Sequence, residues 1–158
     1  MSTTSTFPTV LRQLLKTHQT FLSYAAKHVH KLDLTLPQFD VIITLGDTPG
    51  MTPKKLGEQT LITKGTLTGV VTRLEDKGLV QRTASKKDGR SQIIRLTETG
   101  RALYERTYPE HLAFINRLFN NYLPEEVVTL EADLVRLYDE IIAARGGDGE
   151  TVADEFEE

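Results

Sequence analysis

The sequence predicts a mainly helical chain that carries one small β-hairpin. Three observations predict it. Apolar residues recur at helical spacing through most of residues 9–145. Only two short runs, 79–83 and 92–97, read as strands, and Asp88-Gly89 between them is a hairpin turn signal. Thr52-Pro53, Gly78 and Thr97-Glu-Thr-Gly100 supply helix start and stop signals at the right intervals.

In order, the first helix covers about residues 9–30, with Val10, Leu11, Leu14, Leu15, Phe21, Leu22 and Ala25 at helical spacing. The stretch 32–37 breaks it. Pro37 then opens a short buried helix carrying Phe39, Ile42, Ile43 and Leu45. Gly46-Asp-Thr-Pro-Gly50 is a turn cluster. Thr52 is an N-cap with Pro53 as the first helical residue, and residues 54–59 make two turns with Leu56 inward. After a brief connection Thr63 caps a helix that runs to Lys77 and stops at Gly78. Leu67, Val70, Val71 and Leu74 form its apolar stripe. Gly65, Thr68, Gly69, Thr72 and Asp76 lie opposite, flanked by Lys64, Thr66 and Arg73. An interior glycine costs about 1 kcal/mol relative to alanine. A polar helix face with two of them suits close approach to something outside the chain. Beyond the hairpin, Thr97 caps a long helix to about Tyr122, and Pro124 starts a last helix ending near Arg145.

A short helix, a turn, a second helix and a hairpin make a winged helix-turn-helix. The expected organisation is an N-terminal helix (1–36), the winged unit (37–100), C-terminal helices (101–145) and a disordered acidic tail (146–158).

Composition narrows the function. The chain has no Cys, which excludes disulfides, zinc-thiolate sites and a cysteine redox switch. No apolar run is long enough to span a membrane, and the N-terminal stretch lacks the pattern of a secretory signal, so the expected localisation is cytoplasmic. The net charge is −3, but it is unevenly spread. Residues 52–95 hold ten Lys/Arg and four Asp/Glu, while six acids and no base follow Gly147. A basic segment on an acidic body is the footprint of a phosphate-binding face. No Ser/His/Asp set, phosphate-cradling glycine loop or metal-carboxylate cluster is recognisable, so neither an enzyme nor a cofactor is expected. No metal site is expected either. His28 and His30 are two residues apart rather than four, and His18 and His111 stand alone in sequence.

The run from Thr63 to Arg82, TKGTLTGVVTRLEDKGLVQR, is followed by Asp88-Gly-Arg90 and by Ile94-Arg-Leu-Thr-Glu-Thr-Gly100. Together with Leu34-Thr-Leu-Pro-Gln-Phe39 upstream, this ordered set resembles the MarR family of bacterial transcriptional regulators over roughly residues 8–145. The resemblance implies a homodimer in which the N-terminal helix (1–36) and the last two helices (101–145) interleave as dimerisation helices. It suits Phe7, Leu11, Leu14, Leu112, Ile115, Leu118, Phe119, Leu123, Leu130, Leu134 and Leu137, more apolar side chains than one small winged unit needs.

The resemblance also implies site roles. Thr63, Lys64, Thr66, Thr68, Thr72 and Arg73 would face the DNA major groove. Lys86, Lys87, Asp88 and Arg90 would form the wing contact at 84–92, with Asp88 bracing Arg90 at the minor groove. Thr52 and Lys54 would hold a phosphate at a helix start. The partner would be double-stranded DNA with a pseudo-palindromic operator. Many family members release DNA on binding a small aromatic or phenolic acid. Here Tyr24, His28, Phe39, Ile43, Tyr108 and His111 are the residues available for such an effector. A winged protein-interaction module that does not bind DNA is the alternative, disfavoured by the concentration of Lys/Arg at the wing.

Overall fold

The computed structural model describes residues 6–84, 89 and 91–147. The element order is α1 (Phe7–Val29), α2 (Leu36–Leu45), α3 (Pro53–Gln59), α4 (Lys64–Asp76), β1 (Val80–Ala84), β2 (Gln92–Leu96), α5 (Glu98–Asn116) and α6 (Pro124–Gly147). Short 3₁₀ turns follow α1 at His30–Leu32 and α5 at Arg117–Phe119. The helix expected to reach Tyr122 therefore ends as an α-helix at Asn116.

Polar side chains set the helix starts. Thr35 and Gln38 form a reciprocal capping box at α2: Gln38 N–H donates to Thr35 Oγ1 (3.4 Å) and Thr35 N–H to Gln38 Oε1 (3.0 Å). Thr52 Oγ1 accepts from Lys55 N–H (3.2 Å) at α3, and Thr97 Oγ1 from Gly100 N–H (3.0 Å) at α5. Thr63 is different. It has the extended backbone of an N-cap, but its side chain makes no cap bond. At the other end of α4, Gly78 takes the left-handed conformation (φ 69°) that closes the helix, and Leu79 N–H bonds back to Leu74 O (2.9 Å).

The core lies where α1, α2, α4, the hairpin and α5 meet. Val29, Val41, Ile42, Leu45, Leu56, Val71, Leu74 and Ile94 are almost wholly buried in it. β1 and β2 pair antiparallel from Val80↔Leu96 to Ala84↔Gln92, and Met51 adds a single bridge to Ile94 on the far side of β2. The core continues past the expected boundary at residue 100. Tyr104 of α5 is buried in it and donates from its hydroxyl to Asp47 Oδ2 (2.8 Å). Burial, and then Asp47, push the Tyr104 phenol up to about 12. Arg101 reaches from α5 to the end of α2, donating to Gly46 O (2.9 Å). Gly100 is required by contact, since a Cβ there would lie 1.9 Å from Leu79 O.

α6 contrasts with the rest. Among the described residues it contributes no side chain to the buried core. Val128, Leu134, Val135, Tyr138 and Ile141 stand exposed along it, as do Phe7, Leu15 and Phe21 on α1. Among the described residues no helix is long and apolar enough to cross a membrane.

Candidate nucleic-acid interface

α3, a short turn and α4 form the helix-turn-helix, and α4 presents its polar side outward. Leu67, Val70, Val71 and Leu74 are buried beneath it as the spacing predicts. Lys64, Gly65, Thr66, Thr68, Thr72, Arg73 and Asp76 are exposed, and Thr63 is half-buried at the start. A Cβ built on Gly65 or Gly69 meets no atom within 4 Å. Among the described residues no packing therefore accounts for either glycine.

The hydroxyls on this face are not equivalent. Thr63 Oγ1 donates to Thr66 Oγ1 (3.0 Å). Thr72 Oγ1 donates back to Thr68 O (3.0 Å) and accepts from Arg82 Nη2 (3.4 Å). Arg82 also pairs through Nη1 with Glu75 Oε2. Lys77 is likewise engaged, with Asp33 Oδ2 at 3.0 Å. Two of the basic residues counted from sequence are thus neutralised by neighbours, which leaves Lys54, Lys55, Lys64 and Arg73 as exposed cations on the helix-turn-helix. Thr52 is committed to capping α3, and Lys54 lies exposed beside it. Lys86, Lys87, Asp88 and Arg90 lie outside the described residues. Gly89, between them, has φ +59°, in the left-handed region a tight turn uses.

Sequence reasoning missed Asp40. Asp40 is half-buried on α2 and its Oδ2 accepts from Leu61 N–H (3.0 Å), which pins the turn between α3 and α4. Burial raises the Asp40 carboxyl, and the Leu61 hydrogen bond only partly offsets this. Nothing local relates two residues 21 apart, so no sequence signal existed. Leu61 itself is 96% exposed.

The six effector candidates gather where α1, α2 and α5 meet. Tyr24 stacks on Phe114 (centroids 4.4 Å apart) and its hydroxyl donates to Phe114 O (3.1 Å). Phe39 meets His111 edge-on at 4.7 Å. His28 Nδ1 lies 3.2 Å from His111 Nδ1, so His111 does not stand alone as its sequence position suggested. Burial, and then the His28 charge, hold the His111 imidazole below its ordinary range. Ile43 and Tyr108 pack beside the core, with Tyr108 stacked on Tyr104 at 5.1 Å. Phe114 was missed. Its position three residues after His111 on one helix was the available signal. Among the described residues no group of three or more His, Asp or Glu is placed to hold a metal ion.

This arrangement defines a winged helix-turn-helix protein. A MarR family model matches residues 34–92. The transcriptional regulator MhqR of Bacillus subtilis is 32% identical over 117 residues, which cover 72% of this chain and 79% of MhqR. The chain belongs to the MarR family. AbsC, a MarR family transcriptional regulator from Streptomyces coelicolor, has a similar structure (TM-score 0.78, 25% identity, 90% of this chain and 99% of AbsC). So has a MarR mutant from E. coli complexed with operator DNA (TM-score 0.74, 27% identity, 83% and 94%). These relatives are transcriptional regulators rather than enzymes. The chain spans 63% of the length of the Bacillus cereus HTH-type transcriptional regulators that it matches at 38% identity.

Proposed function

We propose that the protein is a homodimeric, sequence-specific DNA-binding repressor. Residues 63–77 enter the major groove and the wing, 84–92, reaches the minor groove. The observation that carries this reading is the outer face of α4. It is polar, exposed and carries two glycines with open space above them. A helix gains nothing from such glycines unless its backbone approaches another surface. The similar E. coli MarR mutant is complexed with operator DNA, which supports the DNA-binding reading.

Lys64 and Arg73 supply charge beside the threonines, and Thr52, Lys54, Lys86, Lys87 and Arg90 supply the phosphate and wing contacts. The operator is pseudo-palindromic, with half-sites about one turn, roughly 10 bp, apart. The exposed apolar length of α6 and of α1 supports the dimer, because a single chain leaves it in water. An aromatic or phenolic acid would enter where Tyr24, His28, Phe39 and His111 meet, and must open the His28–His111 contact to do so. It would release DNA by favouring the conformation that fits the operator less well. Loss of any shift in thermal stability with millimolar salicylate-like acids would remove this effector class.

The deciding experiment is fluorescence anisotropy of the protein on the DNA upstream of its own gene, against an unrelated duplex, at two salt concentrations. Affinity should be selective and should fall with salt at a log–log slope of about −0.9 per phosphate neutralised. Binding to neither duplex at low salt would turn the reading to a protein-interaction module.

A further inference from the structure

The hydroxyl network on α4 decides what each threonine can offer a base. A threonine hydroxyl has one hydrogen and two lone pairs. Thr72 gives its hydrogen to Thr68 O (3.0 Å), and Arg82, itself paired with Glu75, donates to Thr72 from the other side (3.4 Å). What remains for an outside partner is one lone pair and the γ-methyl, with no hydrogen to donate. Thr72 sits on the outermost stripe of the helix, between Gly69 and Asp76, and Gly69 leaves no side chain beside it. Thr66 is the opposite case. Its oxygen accepts from Thr63 (3.0 Å), which leaves its hydrogen available to an acceptor outside the chain.

In the major groove an exposed methyl group is the mark of thymine, while purine N7, guanine O6 and thymine O4 are hydrogen-bond acceptors. We propose that the two threonines read different chemistry: Thr72 reads a thymine C5-methyl through its own methyl, and Thr66 reads a base acceptor through its hydroxyl. This inference rests on the DNA-binding reading above and makes it specific. It also gives Arg82 a use unlike that of the other bases, because its contacts hold the Thr72 oxygen rather than a phosphate.

The test begins with selection of the full-length protein on a randomised duplex pool. The enriched duplex is then resynthesised with one thymine at a time replaced by deoxyuridine, which pairs alike but lacks the methyl. Binding is measured by anisotropy for the wild type and for Thr72→Val, Thr72→Ser, Thr66→Val and Thr66→Ser, each checked for an unchanged thermal transition. At one thymine or more, the replacement should weaken wild-type binding about fourfold, the value of one buried methyl. Thr72→Val should keep that sensitivity and Thr72→Ser should lose it. Thr66→Ser should bind like the wild type, whereas Thr66→Val should lose about tenfold. Deoxyuridine sensitivity that survives in Thr72→Ser, or an absence of sensitivity at every thymine, would overturn the methyl assignment while leaving the DNA-binding reading intact. A Thr66→Val protein that binds like the wild type would overturn the hydroxyl assignment. A pool that yields no preferred sequence would overturn the DNA-binding reading, and this inference with it.

Discussion

At Gly69 two demands on one residue pull apart. It lies inside α4, where alanine is the better helix former, and a Cβ there would meet nothing among the described residues. Gly69→Ala should therefore stabilise the fold by about 1 kcal/mol, a rise in Tm of roughly 2–4 °C for a chain of this size. If the glycine serves close approach to DNA, the same variant should bind its operator more weakly. A variant more stable and equally tight would show that the glycine has no part in binding. Gly100 makes the contrasting case, since its missing side chain accommodates Leu79 O inside the fold. Gly100→Ala should cost stability and leave no folded protein whose binding could be compared.

Between elements, two polar contacts join segments that lie far apart in sequence. His28 on α1 and His111 on α5 meet through Nδ1 atoms 3.2 Å apart, and this needs at least one of them neutral. His111 titrates below its ordinary range, through burial first and the His28 charge second. The unfolded chain takes up this proton near pH 6.5 and the folded chain only at lower pH. In that window the unfolded state holds more protons, so stability rises with pH and is lost as pH falls below about 6.5. Tm should drop between pH 7.5 and pH 5.5, and His111→Phe should flatten that slope; an unchanged slope would assign the loss to other groups. Asp40 has the reverse sign. Its folded carboxyl is raised, so the folded state binds the extra proton and the ionised group costs stability at neutral pH. Asp40→Asn keeps an acceptor for Leu61 N–H without the charge. It should raise Tm at pH 7, with the gain shrinking as the pH approaches 4. A loss at pH 7 would mean that the charge itself holds the α3–α4 turn.

For the whole molecule, the apolar length of α6 is the dominant fact. Val128 is 64% exposed, Tyr138 63% and Leu134 46%, and Phe7 at the start of α1 is 70% exposed. Packing of three helices within one chain does not bury these side chains. An isolated helix of this kind is marginal in water and gains its stability from an apolar partner face. With the second copy as that partner, Leu134→Glu should shift sedimentation at micromolar concentration from dimer towards monomer and lower Tm together. DNA affinity should fall with it, because two half-sites then act separately. A dimer untouched by Leu134→Glu would place the interface elsewhere.

By itself, the sequence determined the element order, the buried stripe of α4, the turn residues and the polar outer face. These follow from periodicity and local backbone chemistry, which act over a few residues. The first helix, for instance, was legible from its spacing to within two or three residues. Tertiary structure alone decided which charges and hydroxyls remain available. Arg82 looks like one more phosphate-binding base until Glu75 and Thr72 are seen beside it. His111 looks solitary until α5 crosses α1, and Asp40 looks solvated until the turn at Leu61 closes over it. The physical reason is the same in each. A hydrogen bond or ion pair is decided within about 3 Å, and the partners lie 7, 83 and 21 residues apart along the chain.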